Sequence, residues 1–208
     1  MSNIQDFIHT YSPPKNGTKR TLLLLHGTGG DETSLIPFAG IIDPDAAIIS
    51  VRGKVLENGA PRFFRRLQEG VFDLEDLHFR TKELASFIVN ASGEYKFDLT
   101  STYAVGYSNG ANIAASMLFA NPDVLAGAIL FRVMVPFIPE SVADLSGKQI
   151  LLSEGKYDPL VPVENAEQLA ILFQQRKAEV SLRWIELDHR IGRSELNDAH
   201  WWISNLHP

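Results

Sequence analysis

Short apolar segments alternate with longer helix-like segments along most of the chain, and this alternation restricts the fold more than any other feature. The short segments are apolar at nearly every position, and Gly, Pro or polar residues bound them. They are Thr21–Leu25, Ala46–Val51, Thr102–Val105, Ala126–Phe131, Gln149–Leu152 and Val180–Ile185. Strands that are covered on both faces of a parallel sheet have this pattern.

Helical periodicity occupies the intervals between these strands. Apolar residues recur at spacings of three and four in the segments 74–92, Asn109–Ala120, Ala166–Gln175 and Ser194–Ile203. Because a helix between two parallel strands makes a right-handed crossover, the chain is predicted to be an α/β protein. We expect a mostly parallel central sheet with helices on both faces, a three-layer sandwich. Residues 52–73 lack a period and are predicted to form a long loop, which is often functional.

Composition limits the classes of protein that remain. With 208 residues, 45% of them apolar and 21% charged, residues 1–208 are expected to form one globular domain. A net charge of −6 without a long basic run argues against nucleic-acid binding. The sequence has no secretory signal and no apolar run of about 18 residues, so a cytoplasmic protein without a membrane span is expected. It leaves the oligomeric state open, a homodimer included.

Cysteine is absent from the chain. A disulfide, a Cys-ligated zinc site and a thiol nucleophile are therefore excluded. The histidines and carboxylates do not have the spacing of a metal site such as H-E-x-x-H, so no metal is predicted.

The segment Gly106-Tyr107-Ser108-Asn109-Gly110 has the pattern G-x-S-x-G between a predicted strand and a predicted helix. Such a turn exposes the serine hydroxyl on a strained backbone, and a Cβ at either glycine would clash with the strand or the helix. The helix N-terminus would present N–H groups to a developing oxyanion. Ser108 is therefore predicted to be a nucleophile. The alternative is an ordinary Gly-lined turn with a capping serine.

A Gly-rich loop, His26-Gly27-Thr28-Gly29-Gly30, follows the first predicted strand. Its position could direct the Thr28 N–H, together with the Asn109 N–H, into an oxyanion hole. A phosphate-binding loop is the alternative, but the segment lacks the Lys-Ser/Thr of a P-loop and the spacing of a dinucleotide fold. His26 is expected to pack or hydrogen-bond beneath the loop.

Asp158 and His189 follow the fifth and sixth predicted strands, which gives the chain order Ser, Asp, His. In this arrangement the acid orients the imidazole, which takes the serine proton. An ordinary Asp-Pro turn is the alternative for Asp158. The other histidines precede Ser108 or lie on the last helix, except for His207 at the C-terminal tail.

Asp188 is the neighbour of His189, and adjacent side chains on extended backbone point to opposite faces. It is therefore not expected to reach Nδ1 of His189. We expect its charge to act from nearby and to favour the imidazolium.

Taken together, the segments Leu22–Gly30, Gly106–Gly110 and Gly155–Pro162 and the region of His189 resemble the small carboxylesterase/phospholipase branch of the α/β-hydrolase superfamily. The chain is most similar to bacterial hydrolases or esterases associated with quinone stress. They share stretches like Val51-Arg52-Gly53, Arg62-Phe63-Phe64-Arg65-Arg66 and Met134-Val135-Pro136. The resemblance spans roughly residues 20–205. It implies a lidless α/β-hydrolase that needs no cofactor and cleaves small-molecule carboxylic esters through an acyl-enzyme on Ser108.

Two stretches depart from the pattern of that family. Asp188 and Arg190 flank His189 where Gly and a small or amide residue are usual, and Arg132-Val133 stands where Arg-Pro is usual. Two alternatives stay open: an acyl thioesterase or lysophospholipase, and a catalytically weak α/β-hydrolase that serves as a binding protein.

Apolar residues near the predicted site are candidates for substrate binding, and core packing is the alternative for each. They are Phe63, Phe64, Met134, Val135 and Leu160.

Overall fold

The computed structural model describes residues 4–139 and 143–206, so the prediction at His207 lies outside the described residues. The strands of the described part are β1 (His9–Ser12), β2 (Thr21–Leu25), β3 (Ala47–Val51), β4 (Val55–Glu57), β5 (Ala60–Arg62), β6 (Arg66–Gln68), β7 (Val71–Phe72), β8 (Thr102–Tyr107), β9 (Gly127–Phe131), β10 (Gln149–Gly155) and β11 (Glu179–Ile185). Its α-helices are α1 (Ile36–Ile42), α2 (Leu74–Tyr95), α3 (Asn109–Ala120), α4 (Val163–Gln174) and α5 (Arg193–Ser204).

A seven-stranded sheet runs through the centre of the molecule in the order β1-β3-β2-β8-β9-β10-β11. Strand β1 is antiparallel to β3, and the other neighbours are parallel. The predicted mostly parallel sheet is confirmed. The carboxyl ends of β2, β8, β9, β10 and β11 meet at one edge of the sheet, where ligands of open α/β sheets bind.

Different helices cover the two faces of this sheet. Leu23 and Leu25 of β2 belong to the apolar cluster that includes α2, α3 and α4. Leu22 and Leu24, which alternate with them, belong to the cluster of α1 and α5. Because side chains of a strand alternate between faces, these two clusters are two core layers separated by the sheet. The predicted three-layer arrangement is confirmed.

Strand β11 differs from the prediction in one respect. It lies at the edge of the sheet beside β10, and none of its residues is fully buried. Its apolar pattern had predicted a strand covered on both faces. Because β11 pairs only with β10, its other edge is open and its residues stay partly exposed.

The prediction missed β1 and α1, and it assigned a plain loop to residues 52–73. That segment forms two small antiparallel hairpins, β4–β5 and β6–β7. Among the described residues, no helix has the length and apolar character needed to cross a membrane.

Candidate functional site

Ser108 occupies a sharp turn from β8 into α3. Its backbone is left-handed, with φ 51° and ψ −113°. A Cβ at Gly106 would lie 2.6 Å from the Ala111 Cα, and a Cβ at Gly110 would lie 2.0 Å from the Leu25 carbonyl oxygen. Only glycine fits at both positions, so the turn can press against β2 and α3. The predicted strain and close packing at this turn are confirmed.

Three side chains from separate loops form a hydrogen-bonded chain that begins at Ser108. The Ser108 Oγ lies 3.1 Å from Nε2 of His189. The Nδ1 of His189 lies 2.7 Å from Oδ2 of Asp158, whose side chain is fully buried. A carboxylate at Nδ1 requires a proton there, and this tautomer leaves Nε2 free to accept the serine hydroxyl.

Asp158 uses its two carboxylate oxygens differently. Oδ1 accepts the N–H of Leu160 at 2.8 Å, which makes a local turn, while Oδ2 binds His189. The turn that the Asp-Pro sequence favours and the contact with the imidazole therefore coexist. The turn fixes the orientation of the carboxylate.

Asp188 faces Arg190 instead of the imidazole. Its carboxylate oxygens accept from the Arg190 Nε at 2.9 and 3.1 Å. These hydrogen bonds from Arg190 lower the pKa of Asp188. The prediction that Asp188 does not reach Nδ1 of His189 is confirmed. That its charge favours the imidazolium stays a prediction, and the paired Arg190 guanidinium reduces the net charge at this position.

Thr28 and Asn109 line the cleft in front of Ser108. Within the described residues the Thr28 N–H has no acceptor. Asn109 is the first residue of α3, and the first N–H groups of a helix have no intrahelical acceptor. Two N–H groups beside the serine are therefore open to a ligand.

His26 lies beneath the Gly-rich loop and is almost fully buried. Its Nε2 accepts the N–H of Gly53 at 2.9 Å, and burial lowers its pKa. The expected packing and hydrogen-bonding role of His26 is confirmed.

A small cleft with a volume of about 60 Å³ opens at Ser108. Met134 and Leu160 line it, whereas Phe63, Phe64 and Val135 do not. Both phenylalanines are in the core, with 2% and 0% of their surface exposed. The predicted substrate contact of these two side chains is wrong, because both are packed in the apolar core.

Val135 likewise packs against the core. The N–H groups of two predicted substrate residues anchor their loops instead. The Phe63 N–H donates to Oδ1 of Asn109 at 2.7 Å, and the Val135 N–H donates to Oδ1 of Asn165 at 2.8 Å.

Arg132, which directly follows β9, secures the loop of His189, and sequence analysis missed this role. Its Nε donates to the Asp188 carbonyl at 2.9 Å, and its Nη2 donates to the Arg190 carbonyl. Its Nη1 and Nη2 bind the Glu195 carboxylate at 2.9 and 3.0 Å. The guanidinium therefore joins the residues on both sides of His189 to the start of α5.

The ion pair of Arg132 and Glu195 is completely buried. The Glu195 carboxylate also accepts from the Ser153 hydroxyl at 2.7 Å and from the Gly192 N–H at 2.6 Å. The Arg132 Nε lies 4.0 Å from Oδ2 of Asp158. The sequence contains a signal for this network. An arginine directly follows an apolar strand, and a glutamate lies in the first turn of the helix that follows His189.

Glu154 is a second buried carboxyl group near this network. Its Oε1 accepts the Val133 N–H at 3.0 Å, and Oε2 has no partner within the described residues. Burial raises the pKa of Glu154 well above its usual value. This side chain therefore favours the neutral form.

Known proteins share this arrangement of the chain. Residues 8–207 match the family model described as Phospholipase/Carboxylesterase. The chain belongs to that family. It is 47% identical over 194 residues to the putative hydrolase MhqD of Bacillus subtilis (strain 168). The aligned region covers 93% of this chain and 96% of that relative.

Solved structures extend the similarity of this phospholipase/carboxylesterase family member. A carboxylesterase of Bacillus cereus matches with a TM-score of 0.93 and 47% identity, over 95% of this chain and 93% of the other. A carboxylesterase of Mesorhizobium loti matches with a TM-score of 0.87 and 30% identity, over 91% and 90%. The resemblance seen in the sequence and the α/β-hydrolase fold are confirmed. The chain is an esterase-type hydrolase.

Proposed function

We propose that this family member is a carboxylesterase that cleaves carboxylic esters through an acyl-enzyme on Ser108. The observation that carries the proposal is the hydrogen-bonded chain of Ser108, His189 and Asp158, with its distances of 3.1 and 2.7 Å. Nucleophile, base and orienting acid are within hydrogen-bond reach of one another, as acyl transfer requires.

The first half of the reaction forms the acyl-enzyme. His189 Nε2 takes the proton as Ser108 Oγ attacks the carbonyl carbon, and the carbonyl π electrons move onto oxygen. The N–H groups of Thr28 and Asn109 stabilise this oxyanion. The oxyanion then collapses, the bond to the alcohol breaks, and the imidazolium donates its proton to the leaving oxygen.

The second half repeats these steps with water. His189 removes a proton from water, which attacks the acyl carbon. Collapse releases the acid and returns the proton to Ser108 Oγ. Asp158 stays ionised throughout and stabilises the imidazolium.

Labelling with a fluorophosphonate tests the nucleophile. Wild type should be labelled and should hydrolyse a p-nitrophenyl ester, whereas Ser108→Ala should do neither while its circular dichroism is unchanged. The rate should fall by several orders of magnitude, because only binding and the oxyanion hole remain. Labelling that persists in Ser108→Ala would contradict the assignment, and an unlabelled wild type would favour the binding-protein alternative.

The length of the acyl chain tests the alternative of a thioesterase or lysophospholipase. The cleft has room for only about 60 Å³, well below the roughly 300–1,000 Å³ of typical ligand pockets, and this small size favours short substrates. We expect the highest kcat/KM with short acyl groups in a p-nitrophenyl ester series. A maximum at long chains, or a preference for thioesters, would favour the alternative.

Three further properties stay predictions from the sequence. A single domain over residues 1–208 predicts one cooperative unfolding transition. A cytoplasmic location can be checked by cell fractionation. Light scattering can distinguish a monomer from a homodimer.

A further inference from the structure

Arg62 is a buried arginine that reaches the cleft of Ser108. Only 3% of its surface is exposed. Its Nε donates to the Phe64 carbonyl at 3.2 Å, and its Nη1 donates to the Thr28 Oγ at 2.8 Å and to Glu57 at 3.2 Å. These bonds fix the plane of the guanidinium beside the Gly-rich loop.

The second terminal nitrogen of Arg62, Nη2, has no acceptor within the part of the chain that the structure describes. The residue lines the same cleft as Ser108, Thr28 and His189. Arg62 Nη2 is not among the fully buried side-chain atoms that lack a partner, so its N–H groups are accessible from the cleft and can donate to a bound ligand. The open edge of this guanidinium therefore marks a place for an acceptor.

The charges around Arg62 favour an anionic acceptor. Arg66 also lines the cleft, and one carboxylate, that of Glu57, pairs with both guanidinium groups. Burial and the charge of Arg66 both lower the pKa of Arg62. Glu57 does not line the cleft, and Glu69, the acidic residue among the lining residues described, is exposed, so solvent screens its charge.

We propose that Arg62 Nη2 binds an anionic oxygen group of the substrate, so the enzyme prefers esters that carry a carboxylate close to the scissile bond. This inference rests on the proposed esterase function. Arginine suits the role because its planar fork binds carboxylates in a defined direction.

The position of Thr28 limits the distance between the carboxylate and the ester. The Arg62 Nη1 is 2.8 Å from the side chain of the residue whose N–H is proposed to hold the oxyanion. The anionic group must therefore be only a few bonds from the scissile carbonyl. Monoesters of short dicarboxylic acids have this geometry, as do short esters of hydroxy acids.

Two matched pairs of esters test the preference. Monoethyl succinate against ethyl butyrate places the carboxylate on the acyl side, and acetylated glycolate against ethyl acetate places it on the alcohol side. A charge-assisted hydrogen bond contributes about 1.5 kcal/mol or more, which is about tenfold in kcat/KM. We expect wild type to prefer the acidic ester by about that factor in at least one pair.

The variants locate the preference at Arg62. Arg62→Gln should remove most of it, with the change mainly in KM, and Arg62→Lys should retain part of it through its charge. Arg65→Gln is the matched control, because Arg65 lies just after Arg62 between the two hairpins, is exposed and pairs with Asp73 outside the cleft. It should leave both rates unchanged. Hydrolysis of the neutral ester reports whether each variant is folded.

Equal loss of acidic and neutral ester hydrolysis in Arg62→Gln would overturn the inference, as would the absence of any preference in wild type. Binding of succinate to the Ser108→Ala protein, measured by calorimetry, tests the Arg62 subsite without ester hydrolysis. It therefore distinguishes failure of the subsite from failure of the proposed esterase function. If no ester is hydrolysed but succinate binds and Arg62→Gln abolishes that binding, the esterase mechanism fails and the subsite stands.

Discussion

Replacement of Arg132 by methionine should damage both stability and catalysis. Methionine has a similar length but leaves the Glu195 carboxylate buried without its cation, since both side chains have 0% exposure. The carbonyl groups of Asp188 and Arg190, on either side of His189, lose their donor as well. The loop that carries His189 would then lack the hydrogen bonds from Arg132 that fix its backbone.

The magnitude follows from this burial. Removing one partner of a buried ion pair destabilises a protein by about 3–5 kcal/mol. For a chain of this size that corresponds to a fall in Tm of roughly 6–20 °C. Misplacement of a catalytic group by about 1 Å can lower a rate about 100-fold, so kcat should fall by a factor of that order at temperatures where the variant is folded.

Urea denaturation followed by circular dichroism, together with kcat on a short-chain ester, measures both effects. Arg190→Met is the matched control, because the Arg190 side chain is 82% exposed and its ion pair with Asp188 should contribute only about 0–1 kcal/mol. If Arg132→Met matches Arg190→Met in unfolding free energy and in kcat, the Arg132 network does not support the site.

Other predictions concern individual groups of the site. Asp158→Asn should lower kcat by several orders of magnitude, because an amide no longer favours the required tautomer of His189; near-normal rates would exclude Asp158 as the acid. Asp188→Gly should keep activity and hardly move the acid limb of the kcat/KM profile, since Arg190 neutralises Asp188; a shift of about one pH unit would contradict this. Burial raises the pKa of Glu154 in the folded protein, so its carboxyl group keeps a proton at pH values above 4.5, where the unfolded chain has released it. The contribution of Glu154 to the free energy of unfolding therefore falls as pH rises. Glu154→Gln should therefore gain stability relative to wild type between about pH 5 and pH 8 in urea denaturation, and a constant difference would refute the neutral form. EDTA should not inhibit, because within the described residues no group of three His, Asp or Glu side chains could hold a metal ion; inhibition reversed by a divalent metal would overturn the mechanism.

Features with local causes could be predicted from the sequence. The turn at Ser108 needs glycine at Gly106 and Gly110 for steric reasons that the motif itself contains. The alternation of Leu22 and Leu24 with their neighbours between two core layers follows from strand geometry. The strand and helix around the motif were therefore predicted well, and α3 has the bounds that its sequence indicated.

Features that depend on distant partners could not be predicted. Arg132 and Glu195 are 63 residues apart, and only the folded sheet brings them together. Phe63 and Phe64 occur in a segment without periodicity, where an apolar side chain fits a substrate pocket and a core equally well. Strand β1 has a polar sequence, and its place depends on pairing with β3 and on a hydrogen bond between the Tyr95 hydroxyl and Nε2 of His9.

The edge position of β11 has a consequence for heat inactivation. The strand has one neighbour and only partly buried residues, and His189 follows it in the loop to α5. Edge elements of this kind open locally at lower free energy than a central strand such as β8, which precedes Ser108. A brief opening of β11 would separate base from nucleophile while the rest of the sheet stays intact. Ester hydrolysis should therefore cease at a lower temperature than the one at which the protein unfolds.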